Sequence, residues 1–309
     1  MANKRVDETT GTDFVGHEWD GIEELDTPMP RWWLFLYYAT IVWGIIYVVL
    51  YPAWPMVSKA TEGYLGWTSR GQLAQEMKAA EEGRAAFRQQ LASMPIEEVA
   101  GDPALLQQAV AGGRAAFTVN CVQCHGAGAA GGPGYPNLND DDWLWGGDFQ
   151  TIEYTIANGI RQPEHDLTRY SLMPTFDGAF DAKQLDAVTD QVLSFSGKAQ
   201  SSELGAQLYA DNCSVCHGPA GEGDRTQGAP ALNDAIWLYG GNRELIKQQI
   251  LNPRMGIMPA WQNRLDPVTI KMLTAYVHSL GGGEDPAEVS GDQDEISGDQ
   301  TAGSDEQTQ

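Results

Sequence analysis

Positive charge is scarce in this chain: 19 Lys and Arg stand against 42 Asp and Glu in 309 residues, a net charge of −23. A polyanion of this kind avoids nucleic acid and attracts basic partners. The imbalance sits at the ends. Residues 1–30 carry eight acids against Lys4 and Arg5, and residues 281–309 carry nine acids and no base. Cysteine is scarcer still. All four copies fall in "NCVQCHG" (residues 120–126) and "NCSVCHG" (residues 212–218). No βαβ pattern surrounds either stretch, which excludes a thioredoxin-like redox pair. The two C-x-x-C pairs lie 88 residues apart, against roughly 15–20 in a zinc ribbon, so one four-cysteine zinc site is also excluded. The glycine-rich run from Gly126 to Gly134 has no Lys-Ser/Thr after it and is a loop, not a phosphate cradle.

Uncharged apolar sequence is confined to one long run, "WWLFLYYATIVWGIIYVVLY", from Trp32 to Tyr51. Twenty helical residues span about 30 Å, the thickness of a hydrocarbon core. Trp32 and Trp33 at one end and Tyr51 and Trp54 at the other suit the two membrane interfaces. Pro52 and Pro55 then stop the helix. A signal peptide would have a shorter apolar stretch and small residues at its cleavage site. The run therefore predicts a single uncleaved anchor.

What the chain does have is a repeat. Gly113-x-x-x-Phe117-x-x-Asn120 leads into the first cysteine motif, and Gly205-x-x-x-Tyr209-x-x-Asn212 leads into the second. Downstream, "PNLNDDDWLWGG" from Pro136 matches "PALNDAIWLYGG" from Pro230, and Met173-Pro174 matches Met258-Pro259. Each copy closes on an apolar stripe at helical spacing: Leu185, Val188, Val192 and Phe195, then Ile270, Leu273, Val277 and Leu280. The first copy carries nine extra residues ahead of its Met-Pro, roughly "RQPEHDLTR". Between the anchor and the repeats, an Ala-, Glu- and Gln-rich stretch reads as a polar helical spacer. Beyond Gly283 the chain has too little apolar surface to offset its chain entropy and is expected to be disordered.

A histidine follows each second cysteine, and only one of the three chemistries explains it. In C-x-x-C-H the two sulfurs form thioethers to a porphyrin edge, and the histidine becomes the proximal iron ligand. Cys121, Cys124, Cys213 and Cys216 are thus expected to hold two covalent haem c groups, with His125 and His217 on the irons. Met173 and Met258, each before a proline, are the expected sixth ligands. Position in the chain pairs Met173 with the first iron and Met258 with the second, while the spacing does not require each methionine to serve its own repeat. Met255 and Met272 compete with Met258 in the second repeat, but Met258 takes the repeat-equivalent place before Pro259, and Met272 lies on the closing helix and is expected to be packing. His165 and His278 read as ordinary surface histidines, and His17 precedes the anchor. Trp143 and Trp237 suit either core packing or contact with haem propionates.

These residues resemble class I c-type cytochrome domains over roughly residues 107–283. From about His17 to Gly283 the chain resembles the dihaem subunit (subunit III) of cbb3-type cytochrome c oxidases, through "HEWDGIEELDTPMPRWW", the spacer and the tandem motifs. The resemblance implies an all-α fold, one N-terminal transmembrane helix followed by two tandem class I cytochrome c domains. The implied order is a cytoplasmic segment (1–31), anchor (32–53), helical spacer (54–106), cytochrome domains (107–199 and 200–283) and acidic tail (284–309). It implies that Pro136 and Pro230 orient the proximal imidazoles through their carbonyls. It also implies a relay with no catalytic residue of its own, in a proton-pumping oxidase. Electrons would enter from a donor cytochrome c and leave toward a catalytic haem b/copper subunit, with a monohaem c subunit alongside. The haem domains would face the periplasm from a bacterial inner membrane. A dihaem anchor and electron-transfer subunit of a periplasmic dehydrogenase or another respiratory chain complex is the alternative, and a haem sensor, which would need an open iron, is a third reading.

Overall fold

The computed structural model describes residues 5–285. The acidic tail expected over 284–309 therefore lies, from residue 286 on, outside the described residues. The chain divides into two compact units, Met1–Ala85 and Ala86–Gln309.

The first unit departs from the all-α expectation at its start. Strands β1 (Phe14–Trp19) and β2 (Ile22–Leu25) form an antiparallel hairpin with Trp19 opposite Ile22. Asp20 and Gly21 make the turn, both at positive φ, 50° and 83°. An Asp-Gly pair favours this two-residue turn because its twist matches that of the flanking strands. Helix α1 (Arg31–Leu50) follows, 20 residues at mean hydropathy 2.0 with no side chain buried. Trp43, Tyr47 and Tyr51 stack one turn apart, with centroids 5.4 and 4.9 Å apart. The helix ends where Tyr51 turns extended ahead of Pro52. Its length and composition are those of a membrane span. Helix α2 (Ser69–Ser93) lies inside the expected spacer and has Leu91 as its one buried residue.

The second unit is built from nine helices among the described residues: α3 (Ile96–Gly101), α4 (Pro103–Asn120), α5 (Val122–His125), α6 (Phe149–Asn158), α7 (Ala182–Phe195), α8 (Glu203–Asn212), α9 (Ser214–His217), α10 (Arg243–Leu251) and α11 (Pro267–His278). Local chemistry starts the longer ones. Asp102 and Asp266 accept from the first free N–H groups, each ahead of a proline at the first helical position. Asp181 and Gln184 form a reciprocal capping box at α7.

The two closing helices do not pack where the repeat order suggests. Helix α11 crosses α4, and α7 crosses α8. A Cβ on Gly113 would come within 3.0 Å of the Met272 carbonyl, and one on Gly205 within 3.0 Å of the Ala187 carbonyl. The aromatic four residues on completes each crossing: Phe117 lies 5.2 Å from Tyr276, and Tyr209 lies 5.0 Å from Phe195. So the Gly-x-x-x-aromatic motif of the first repeat receives the closing helix of the second, and the second motif receives the closing helix of the first. The reason is the link from α7 to α8. Residues 196–202 are too few to carry α8 far from α7, and short connections join neighbours in space.

One core is consequently nested inside the other. A first core joins Phe117, Ile152 and Ile156 to Ile270, Leu273 and Val277. A second gathers Val188, Val192, Tyr209, Ile246 and Ile250 from a continuous stretch of chain. Ile160 and Met258, at the ends of the excursion, exchange backbone hydrogen bonds of 2.9 and 3.0 Å. The later part of the expected spacer is no spacer. Leu91, Ile96, Val99 and Leu105 pack with Phe149, Val268 and Met272 in a further cluster of the same unit.

Candidate haem-binding sites

Each cysteine motif is a single helical turn docked at the end of a longer helix. Cys121 is both the C-cap of α4 and the N-cap of α5, and Cys213 plays the same part between α8 and α9. One turn brings the paired sulfurs to one side. Gly126 and Gly218, at φ 78° and 74°, then turn the chain away after each histidine. None of the four cysteines is in a disulfide. Burial, followed by the neighbouring cysteine, pushes Cys121 and Cys213 up to about 11, so both are neutral thiols.

The histidines are oriented by the prolines. His125 Nδ1 lies 3.1 Å from the Pro136 carbonyl oxygen, and His217 Nδ1 lies 3.0 Å from that of Pro230. A carbonyl only accepts, so Nδ1 carries the proton and Nε2 keeps its lone pair for a metal. Burial lowers both histidine pKa values, outweighing the upward pull of those carbonyls, and favours the neutral ring.

The methionines lie opposite to the assignment by chain order. Met258 packs against the first core with Cys121, Val122 and Trp143. The Phe117 ring of that core is 6.4 Å from His125. Met173 packs against the second core with Cys213, Leu232 and Trp237. The structure thus places Met258 in the core that holds Cys121, and Met173 in the core that holds Cys213. Two cysteines and an oriented histidine at one helical turn, with a methionine packed in the same core as the first cysteine, make up the donor set of a haem c, so the residues fit the group at both places.

Other residues sit differently from expectation. His165 is half-buried rather than a free surface group: its Nε2 lies 3.1 Å from both Asn158 Oδ1 and Gln262 Nε2. His278 is not on an open polar face. It stacks on Phe149 at 3.7 Å, with Nε2 3.0 Å from the Glu284 carbonyl oxygen. Met272 is core, as expected. Trp143 and Trp237 both pack in the cores. Trp143 Nε1 donates to the Gly282 carbonyl, while Trp237 Nε1 is buried with no hydrogen-bond partner.

The sequence reading missed how the repeats meet. Trp145 presses on Gly228, and its counterpart Tyr239 presses on Gly134. The signal was present in "WLWGG" and "WLYGG", whose third letters are these two aromatics. Beside this contact, burial and then Asp234 and Asp140 raise Asp142 to about 6, with Arg225 opposing. A carboxyl raised above its ordinary 3.8 binds its proton more tightly folded than unfolded. Stability therefore falls as pH climbs from about 4 to about 6, and the loss persists above. Asp142→Asn is expected to melt higher than the native chain at pH 7. The gap should close by pH 4 in paired thermal melts.

Family models match three segments: "N-terminal domain of cytochrome oxidase-cbb3, FixP" over residues 11–58, "Cytochrome c" over 110–196, and "Cytochrome C oxidase, cbb3-type, subunit III" over 200–277. Among curated proteins, the cbb3-type cytochrome c oxidase subunit CcoP of Cereibacter sphaeroides is 51% identical over 275 residues, covering 87% of this chain and 95% of that one. The subunit FixP of Rhizobium meliloti is 48% identical over 285 residues, covering 91% and 99%. That of Azorhizobium caulinodans is 48% identical over 283 residues, covering 90% and 96%.

Proposed function

The chain belongs to the CcoP/FixP family of cbb3-type cytochrome c oxidase subunits, and on that premise we propose how its residues carry out an electron relay. It is a membrane-anchored c-type cytochrome that passes electrons within a cytochrome c oxidase. Haem c, when bound, supplies a one-electron centre at each site. The chain holds two of them covalently, through Cys121 and Cys124 and through Cys213 and Cys216. His125 with Met258, and His217 with Met173, would supply the iron ligands at the two sites. Pro136 and Pro230 hold each imidazole in the tautomer that coordinates. Irons held by these residues would keep no open position, so the chain would relay electrons and leave oxygen chemistry to its partner. The observation that carries this reading is the paired donor set, each histidine oriented by a proline carbonyl and each core containing one methionine.

Both motifs follow α1, so a single span puts them on one side of the membrane. Because haem attachment in this family is periplasmic, that side is the periplasm, and the hairpin of β1 and β2 lies in the cytoplasm. A donor cytochrome c delivers electrons there. The acceptors are the catalytic haem b/copper subunit and a monohaem c subunit, and the chain performs no chemistry of its own. Purification in mild detergent tests this reading. Haem b and copper are expected to accompany the chain in fixed ratio, with two haems per chain surviving acid–organic extraction. Co-purification with a dehydrogenase and no copper would favour the alternative anchor.

A further inference from the structure

We infer that Arg161 is a positioning residue that clamps both axial-methionine loops and so couples the two haem sites. The inference rests on the ligand reading above, and it concerns the nine-residue insertion, for which that reading has no use. Arg161 Nε donates to the Gly256 carbonyl at 2.7 Å, and Nη1 donates to the Ser171 carbonyl at 3.3 Å. These carbonyls stand two residues ahead of Met258 and two residues ahead of Met173. One planar guanidinium therefore holds equivalent points of both loops. Its fork of fixed donors suits two acceptors at once, which a lysine ammonium on a flexible stem does not reproduce.

The backbone around Arg161 is tied to the same two loops. Ile160, its neighbour, exchanges hydrogen bonds with Met258 itself. On the other side, Arg161 N–H donates to the Arg169 carbonyl at 2.8 Å, and Arg169 N–H donates to the Gly159 carbonyl at 3.1 Å. Arg169 is four residues ahead of Met173. Ile160 is thus bridged to Arg169 on one side and to Met258 on the other, one partner from each methionine loop. Arg161 sits at φ 53°, a conformation that a residue with a side chain adopts only where its surroundings enforce it. Arg161 is half-buried, so the positive charge shared by the two loops is only partly screened.

The test uses the full chain in detergent. Ferric methionine-ligated haem has a weak sulfur-to-iron absorption band in the near red, and low-temperature EPR gives one low-spin signal for each haem. In native protein both measures should report two methionine-ligated irons. If they do not, the ligand reading fails before the clamp is tested. Arg161→Ala is expected to weaken the band, displace both EPR signals, lower both potentials and let carbon monoxide compete for both ferrous irons. Arg254→Ala is the control. Arg254 stacks on Tyr239 and donates to its carbonyl, four residues ahead of Met258 only. It should disturb the Met258 site alone. If the haem content of Arg161→Ala falls below two, Arg161→Lys is read by the same criterion, since it keeps the charge but not the fork. A change at one haem only, at neither, or an equal change at both in the Arg254 control would overturn the clamp.

Discussion

Replacing Met258 by histidine is expected to lower the potential of the haem held by Cys121 and Cys124, and to leave the haem on Cys213 and Cys216 as it was. A thioether favours the reduced iron more than a second imidazole does. The drop should be on the order of 0.1 V, within the roughly 0.8 V over which axial ligands set haem potentials. The reason lies in the nested cores: Met258 shares its cluster with Cys121, and Met173 shares its cluster with Cys213. The measurement is cleanest with one haem removed. In a chain carrying Cys213→Ala and Cys216→Ala, Met258→His should move the remaining potential and Met173→His should not. The reverse pattern would mean that each methionine serves the histidine of its own repeat. His165→Ala should leave the low-spin spectrum unchanged, since His165 is engaged with Asn158 and Gln262 rather than with either donor set.

The cysteine motifs were legible as candidate haem sites because their chemistry is local. A thioether pair and a proximal histidine fit within five residues, and one helical turn positions them whatever the rest of the chain does. The anchor was legible for a similar reason, since twenty uncharged residues are long enough to span and α1 has no buried side chain. Which methionine shares a core with which cysteine motif was not legible. Both repeats carry the same Gly-x-x-x-aromatic pattern and an apolar closing stripe of the same spacing, so the shared letters do not say which closing helix Gly113 or Gly205 accepts. The choice is made by the length of the link over residues 196–202 and by the Ile160–Met258 pairing, neither of which has a periodic signature. The hairpin at Asp20–Gly21 had a readable turn, but its strands are short and rich in Glu, which masks the alternation of a sheet.

The part played by Arg161 was illegible for a different reason. Its two acceptors, Gly256 and Ser171, are backbone carbonyls, so no side-chain motif marks them. The aromatic contacts of Trp145 on Gly228 and of Tyr239 on Gly134 are again relations between copies. Self-comparison reveals the copies but not the contacts between them.

Nesting has a consequence that a simple tandem array does not share: the chain tolerates an internal deletion better than a terminal one. Ending the protein after residue 199 keeps the whole first repeat, but removes Met258 and all of α11. The first core then loses Ile270, Leu273 and Val277, each at most 6% exposed. Fully burying such a side chain is worth about 1.5–3 kcal/mol, so the three together approach the roughly 5–15 kcal/mol of a whole domain. The second core loses α8, α9 and α10 in the same cut. Neither haem site should survive, and the product should be degraded or devoid of low-spin haem. By contrast, residues 162–256 can be replaced by Asn-Gly. Arg161 and Ile257 flank the hydrogen-bonded Ile160–Met258 pair, and Asn-Gly is the favoured two-residue turn for joining antiparallel neighbours. This shorter chain keeps α3 to α6, Met258 and α11, and should fold around one covalent haem, with the weakened methionine band expected once Arg161 has lost both of its carbonyl acceptors. Visible spectra and haem content of the two products decide the matter. A native-like haem in the chain that ends at residue 199, with none in the internal deletion, would show that each repeat closes on its own helix.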